Sequence, residues 1–133
     1  MNDKIENSDE IVKHWLESSD QDYITMKHLI ESKDFCWALF MSHLVIEKIL
    51  KALYVKKNQK HAIFTHDLLR LASKIELELT LENQEILDSI TTFNLNARYD
   101  DYKQEFSKLC SKEFTEEWIV KIEELRLWLI NQL

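Results

Sequence analysis

Glycine and proline are both absent from the 133 residues of this chain. Average usage of about 7% and 5% would place roughly nine of one and seven of the other in a chain of this length. Glycine supplies the positive φ of tight turns and bulges, and proline punctuates loops. A β-sandwich or a doubly wound α/β sheet is hard to build without either. Every glycine-rich phosphate-binding loop is excluded as well. What remains favoured is a set of long helices joined by few, short connections.

Cysteine is scarce. Cys36 and Cys110 form no C-x-x-C pair. In a reducing cytosol they are expected as free thiols, Cys36 half-buried at a helix start. A disulfide between them stays open, because sequence alone does not put them within bridging reach. Long uninterrupted hydrophobic runs are also lacking, since His, Glu and Lys break each one before the length a membrane span needs. The polar, acidic start MNDKIENSDE does not read as a signal peptide. The expected location is cytoplasmic, with no membrane partner.

What is present is a hydrophobic content of 45% beside 31% charged residues, a folded rather than disordered balance. The length suits one domain over 1–133, its core at about 8–132. The most apolar stretch is FCWALFMSHLVIEKILKALY, Phe35 to Tyr54. At 3.6 residues per turn it is hydrophobic around most of its circumference, with Ala38, Leu39, Met41, Val45, Ile46, Ile49, Leu50, Ala52 and Leu53 contributing. A helix of that kind must be covered on most sides by neighbours. Only His43, Glu47 and Lys51, spaced four apart, with Lys48 beside them, break the coat.

The flanking sequence supplies the cover. Ser8 is placed to cap a first helix, in which Val12, Trp15, Ser19, Tyr23, Met26 and Ile30 form one seam, ending near Ser32. Asp34 is placed to cap the central helix, which runs to about Lys57 and pairs antiparallel with the first. Thr65 is expected to open a short helix, HDLLRLASKIEL, and Thr80 a fourth, with Ile86, Ile90, Phe93 and Ala97 on one stripe. The segment DDYKQEFSKLCSKE is too mixed to assign. Thr115 then starts a last helix, Phe114 stapling onto Ile119. The fold expected is all-α, a single-domain up-and-down bundle of about five helices.

The formal net charge of −7 disfavours nonspecific contact with nucleic acid. Its distribution is uneven. Between Lys48 and His66 lie five of the 17 lysines and arginines, and none of the 24 acidic residues. Such an island suits a compact anion or an acidic protein surface, although lysines near a helix C-terminus also simply complement the dipole. Arg98 offers a planar fork for an anion and Tyr99 or Tyr102 a surface for a base. Alternatively, Arg98 pairs with Asp100 or Asp101 as a clamp on the fold.

Several of these stretches together resemble one family. Trp15, Ser19, Asp22 and Tyr23 resemble the W-x3-A-x2-D-L opening of the HEPN domain (higher eukaryotes and prokaryotes nucleotide-binding). Ile46 to Leu53, IEKILKAL, is similar to its EK-x-LKA motif. Thr65-His66-Asp67-Leu68 with Leu71 resembles its THDL-x2-L, and Asn96 to Asp101, NARYDD, its ARYPD. The resemblance implies a helical domain that forms homodimers, is often encoded beside a minimal nucleotidyltransferase as partner, and is proposed to bind nucleotides or act on RNA. Phe64 and Asp100 stand where the family often has proline. Members that are ribonucleases, including toxins of toxin–antitoxin pairs, resemble one another in an Arg followed four to six residues later by His. Here Lys103, Gln104 and Glu105 follow Arg98 at that spacing, Ile75, Glu76 and Leu77 follow Arg70, and no histidine lies beyond His66.

That departure matters chemically, because attack by a ribose 2′-OH needs a proton acceptor titrating near neutrality, a role imidazole fills best. No catalytic set is assigned. The expected function is therefore a non-catalytic, dimerising domain that binds a nucleotide or a partner protein. Its candidate site is Lys48, Lys51, His66, Arg98 and Tyr99, with His43, Glu47, Asp67 and Tyr102 as secondary members. A toxin-like ribonuclease using His66 and a purely structural interaction module are the alternatives. His43 and Glu47 lie one turn apart, yet two ligands without a third make no metal site, and no cofactor is expected.

Overall fold

The computed structural model describes residues 5–133, with the side chains of Asp100 and Asp101 outside the description. Six helices follow in order: α1 Ser8–Glu31, α2 Phe35–Asn58, α3 Leu68–Ile75, α4 Leu81–Arg98, α5 Asp100–Leu109 and α6 Lys112–Ile130. No strand occurs among the described residues. The all-α bundle is as expected, with α2 at its centre packed against α1, α3, α4 and α6, and α5 leaning on α4.

The central position of α2 follows from its composition. Ala38, Leu39, Val45, Ile46, Ile49, Leu50, Ala52, Leu53 and Val55 are all buried. Leu68, Leu71, Ala72 and Ile75 of α3 and the stripe Ile86, Ile90, Phe93 and Ala97 of α4 close on it. Ile122, Leu125 and Leu129 of α6 complete the same core. No described helix is long and apolar enough to cross a membrane.

The differences from expectation lie at helix ends. The unassigned segment forms α5, anchored by one buried residue, Phe106, whose ring lies 5.7 Å from Phe93. Its other described side chains are exposed, so no hydrophobic period announces the helix. Helix α6 begins earlier than Thr115, because Ser111 caps it by accepting from Phe114 N at 3.1 Å. Phe114 thereby falls inside the first turn and packs on Trp118 rather than stapling from outside. Asp67, not Thr65, caps α3. Thr80 caps α4 as expected, whereas Ser8 and Asp34 make no side-chain cap bond.

The lack of glycine leaves a mark on the backbone. Lys33, Gln59 and Glu76, just beyond α1, α2 and α3, take φ of 65°, 55° and 60°. After α1, Lys33 N donates to Ile30 O at 3.1 Å and Asp34 N to Leu29 O at 2.8 Å. That is a Schellman closure, usually built with glycine at the left-handed position.

Candidate functional site

The polar stripe of α2 gathers a compact group around Glu47, itself 3% exposed. The loop after α2 returns over the helix and is fixed where Asp67 caps α3, accepting from Arg70 N at 3.2 Å. This brings His66 over the stripe. His66 Nδ1 donates to Glu47 Oε1 at 2.7 Å, and Lys51 Nζ donates to Glu47 Oε2 at 3.3 Å. Trp15 of α1 covers the Lys51 ammonium, 5.1 Å from its ring centroid, a cation–π contact in a desolvated setting.

His43 underlies this group and is wholly buried. Its Nε2 faces the carbonyl of His66 at 2.8 Å, and its Nδ1 faces Asn94 Nδ2 at 3.3 Å. A carbonyl only accepts and an amide NH₂ only donates, so the ring carries its proton on Nε2 and accepts at Nδ1. Burial pushes the His43 pKa down, partly opposed by the bond to the His66 carbonyl and by the charge of Glu47. The imidazole is thus a neutral strut holding the backbone at His66. Asn94 is not among the sequence candidates, although a polar residue beside Phe93 on the apolar face of α4 is a visible signal.

Above this layer the site opens. The His66 side chain is 45% exposed, with Nδ1 tied inward to Glu47. Phe64 is 93% exposed and its ring lies 5.9 Å from that of His66, tilted at 60°. An imidazole held at Nδ1 by a carboxylate accepts a proton at Nε2 when neutral and donates to an anion when charged.

The remaining candidates do not share this cleft. Lys48 turns away from it, 2.6 Å from Asp22 Oδ2 and 2.7 Å from Ser18 Oγ, where it holds α1. Asp67 is occupied as a helix cap. Tyr99 and Tyr102 are exposed at the α4–α5 junction and touch none of the Glu47 group. Arg98 is exposed and has no ion pair with a described residue; its expected partners Asp100 and Asp101 lie outside the described side chains. It occupies the α4 face of Asn94, one turn further on.

An open cationic seam along Lys48–His66 is therefore not what forms. Lys48, Lys51 and Lys57 each meet a carboxylate, and Lys56 donates to the Leu133 carbonyl. The reason is electrostatic: α1 and the end of α3 present Asp22 and Glu76, acidic residues outside the island in sequence but beside it in space. No group of His, Cys, Asp and Glu among the described residues is arranged to hold a metal ion.

These couplings account for the sequence motifs. Ser19 Oγ donates to Val45 O at 2.8 Å, Asp22 meets Lys48, and Trp15 covers Lys51. The first motif is the face by which α1 grips α2. The sequence model of the HEPN domain matches residues 12–133. The chain belongs to the HEPN domain family.

As a HEPN domain it also shares its fold with a solved structure, TT1696 from Thermus thermophilus. The TM-score is 0.77 at 17% identity, over 92% of this chain and 98% of that one. At that identity the likeness concerns the fold alone. No curated protein sequence matches the chain. The Glu47–His66 pair with Lys51, His43 and Asn94 is where this chain concentrates its buried polar chemistry.

Proposed function

We propose that this HEPN domain is a non-catalytic binding module that forms homodimers and takes a nucleotide at the His66–Phe64 surface. The observation that carries the reading is the exposed Phe64 ring set against the half-exposed His66 side chain, whose Nδ1 is held by Glu47. An exposed ring offers a stacking surface to a base, and a half-exposed imidazole offers a hydrogen-bonding partner for a phosphate. The same reading assigns the protein to the cytoplasm, where free thiols are the ordinary state.

A screen of nucleotides by thermal shift and calorimetry tests the proposal, with light scattering for the dimer. The expected result is a nucleotide-dependent rise in melting temperature, weakened in Phe64→Ala and His66→Ala. Absence of binding by every nucleotide removes the small-ligand reading and leaves a protein partner, such as a minimal nucleotidyltransferase, as the occupant to seek by co-purification.

One observation favours a second reading. Glu47 orients His66 as a carboxylate orients a general base, which is what cleavage of RNA by its own 2′-OH requires. This reading predicts metal-independent RNA cleavage that His66→Ala abolishes. A purified protein that leaves RNA intact across neutral pH excludes it.

A further inference from the structure

We propose that Cys36 and Cys110 form a peroxide-oxidisable thiol pair whose reversible disulfide fastens the α5–α6 turn to the first turn of α2. Both are free thiols, Cys36 half-buried and Cys110 buried. They are far apart in sequence yet anchored to one atom. Cys110 N donates to the carbonyl of Phe106 at 3.1 Å, and Cys36 Sγ approaches that carbonyl at 3.8 Å. Both also line one shallow cavity of about 210 Å³, beside Lys33, Trp37 and Ser107. Burial, together with the adjoining Cys36 thiol, pushes the Cys110 pKa up, so Cys110 keeps its proton until it is consumed.

The asymmetry assigns the order of events. Cys36 is the more open sulfur, in the first turn of α2, so it is the one a peroxide reaches first. Its thiolate attacks one oxygen of hydrogen peroxide. The O–O bond breaks, hydroxide leaves and takes up a proton as water, and Cys36 becomes a sulfenic acid. The Cys110 sulfur then attacks the Cys36 sulfur and the S–O bond breaks. The departing hydroxide combines with the Cys110 proton as a second water. Two electrons pass from the sulfurs to the peroxide, and a dithiol returns them by exchange.

The consequence for the fold is specific. Helix α5 is pinned to the core chiefly through Phe106 and Cys110. A disulfide at Cys110 adds a covalent tie there, closing a loop that spans over half the chain. It also fixes one wall of the neighbouring cavity of about 280 Å³ lined by Cys36, Trp37, Ala97 and Phe106. Constraining so long a loop restricts the unfolded chain most, so the oxidised form should melt higher than the reduced one.

The full chain, treated with hydrogen peroxide, alkylated and weighed intact, tests the pair. The expected product is a monomer that has lost two hydrogens, takes no thiol label, melts at higher temperature and reverts fully with dithiothreitol. Cys110→Ser should stop at a sulfenic acid on Cys36 that dimedone traps. Should the wild-type protein instead gain oxygen at Cys36 while Cys110 still takes label, or link only between chains, the proposal is overturned. The measurement on the wild-type protein stands even if either serine variant folds poorly.

Discussion

Glu47, buried on α2, accepts a 2.7 Å hydrogen bond from Nδ1 of the half-exposed His66 while its other oxygen meets Lys51 at 3.3 Å. One carboxylate thus serves two tasks, neutralising a covered ammonium and aiming an open imidazole. Removing one member of a buried ion pair leaves the other uncompensated, at a cost of about 3–5 kcal/mol. Glu47→Leu should therefore lose stability on that scale by urea unfolding. Glu47→Leu combined with Lys51→Met should recover most of it, because the stranded charge goes too. If the double variant is as unstable as the single one, the cost does not come from Lys51.

His43 makes stability depend on pH in a stated direction. Burial holds its folded pKa below the ordinary 6.5, with Glu47, Lys51 and His66 the charged or titratable groups around it. Between the folded value and 6.5 the unfolded chain binds the proton that the native ring refuses. The contribution is then full above about pH 6.5 and is lost progressively as pH falls from there through the lower folded pKa. His43→Gln preserves a donor for the His66 carbonyl and an acceptor for Asn94. Urea midpoints should fall less steeply between about pH 7 and 5.5 in that variant than in wild type. Equal slopes would show that the native His43 ring takes up its proton as readily as the unfolded one.

Much of this arrangement is legible in the sequence, and the part that is not has a physical cause. The spacing of His43, Glu47 and Lys51 by four residues marks a polar stripe on a helix otherwise buried, and α2 is that helix. The stripe of α4 is equally legible, since Ile86, Ile90, Phe93 and Ala97 all enter the core. Helix α5 is not, because Phe106 is its lone buried side chain among those described and one residue sets no period. The lysine island misleads for a different reason. Linear charge density omits partners from other helices, and Asp22 and Glu76 reach Lys48 and Lys57 only through the fold. Phe64 stands where proline is common in the family; its exposure beside His66 emerges from tertiary structure alone.

Phe64 separates binding from folding. At 93% exposed it contributes little to the core, so Phe64→Ala should change stability by no more than about 0.5 kcal/mol. If a base stacks on it, the same substitution should weaken nucleotide binding by about 1–3 kcal/mol. Lys48→Met is the contrasting variant, since Lys48 is committed to Asp22 and Ser18 away from the cleft. It should lower stability without altering ligand affinity. Calorimetry that finds Lys48→Met affecting affinity more than Phe64→Ala would move the site to the α1 side.

The absence of glycine yields a prediction opposite in sign to most substitutions. Lys33 holds φ at 65° in the closure after α1, a region where a Cβ crowds the following carbonyl. Its amide is already used, donating to Ile30 O at 3.1 Å, and its side chain enters no salt bridge among the described residues. Lys33→Gly relieves the crowding without removing a bond. The gain is offset by the greater freedom glycine gives the unfolded chain, leaving a net stabilisation of about 0.5–1 kcal/mol. Gln59→Gly should gain less, since Gln59 also accepts from Ser8 Oγ at 2.7 Å and donates to Lys56 O at 2.9 Å. Glu76→Gly similarly gives up the pair with Lys57 at 3.1 Å. Urea unfolding of the three variants should thus rank Lys33→Gly as the most stabilised, and a loss of stability there would mean that the left-handed turn carries no strain worth relieving.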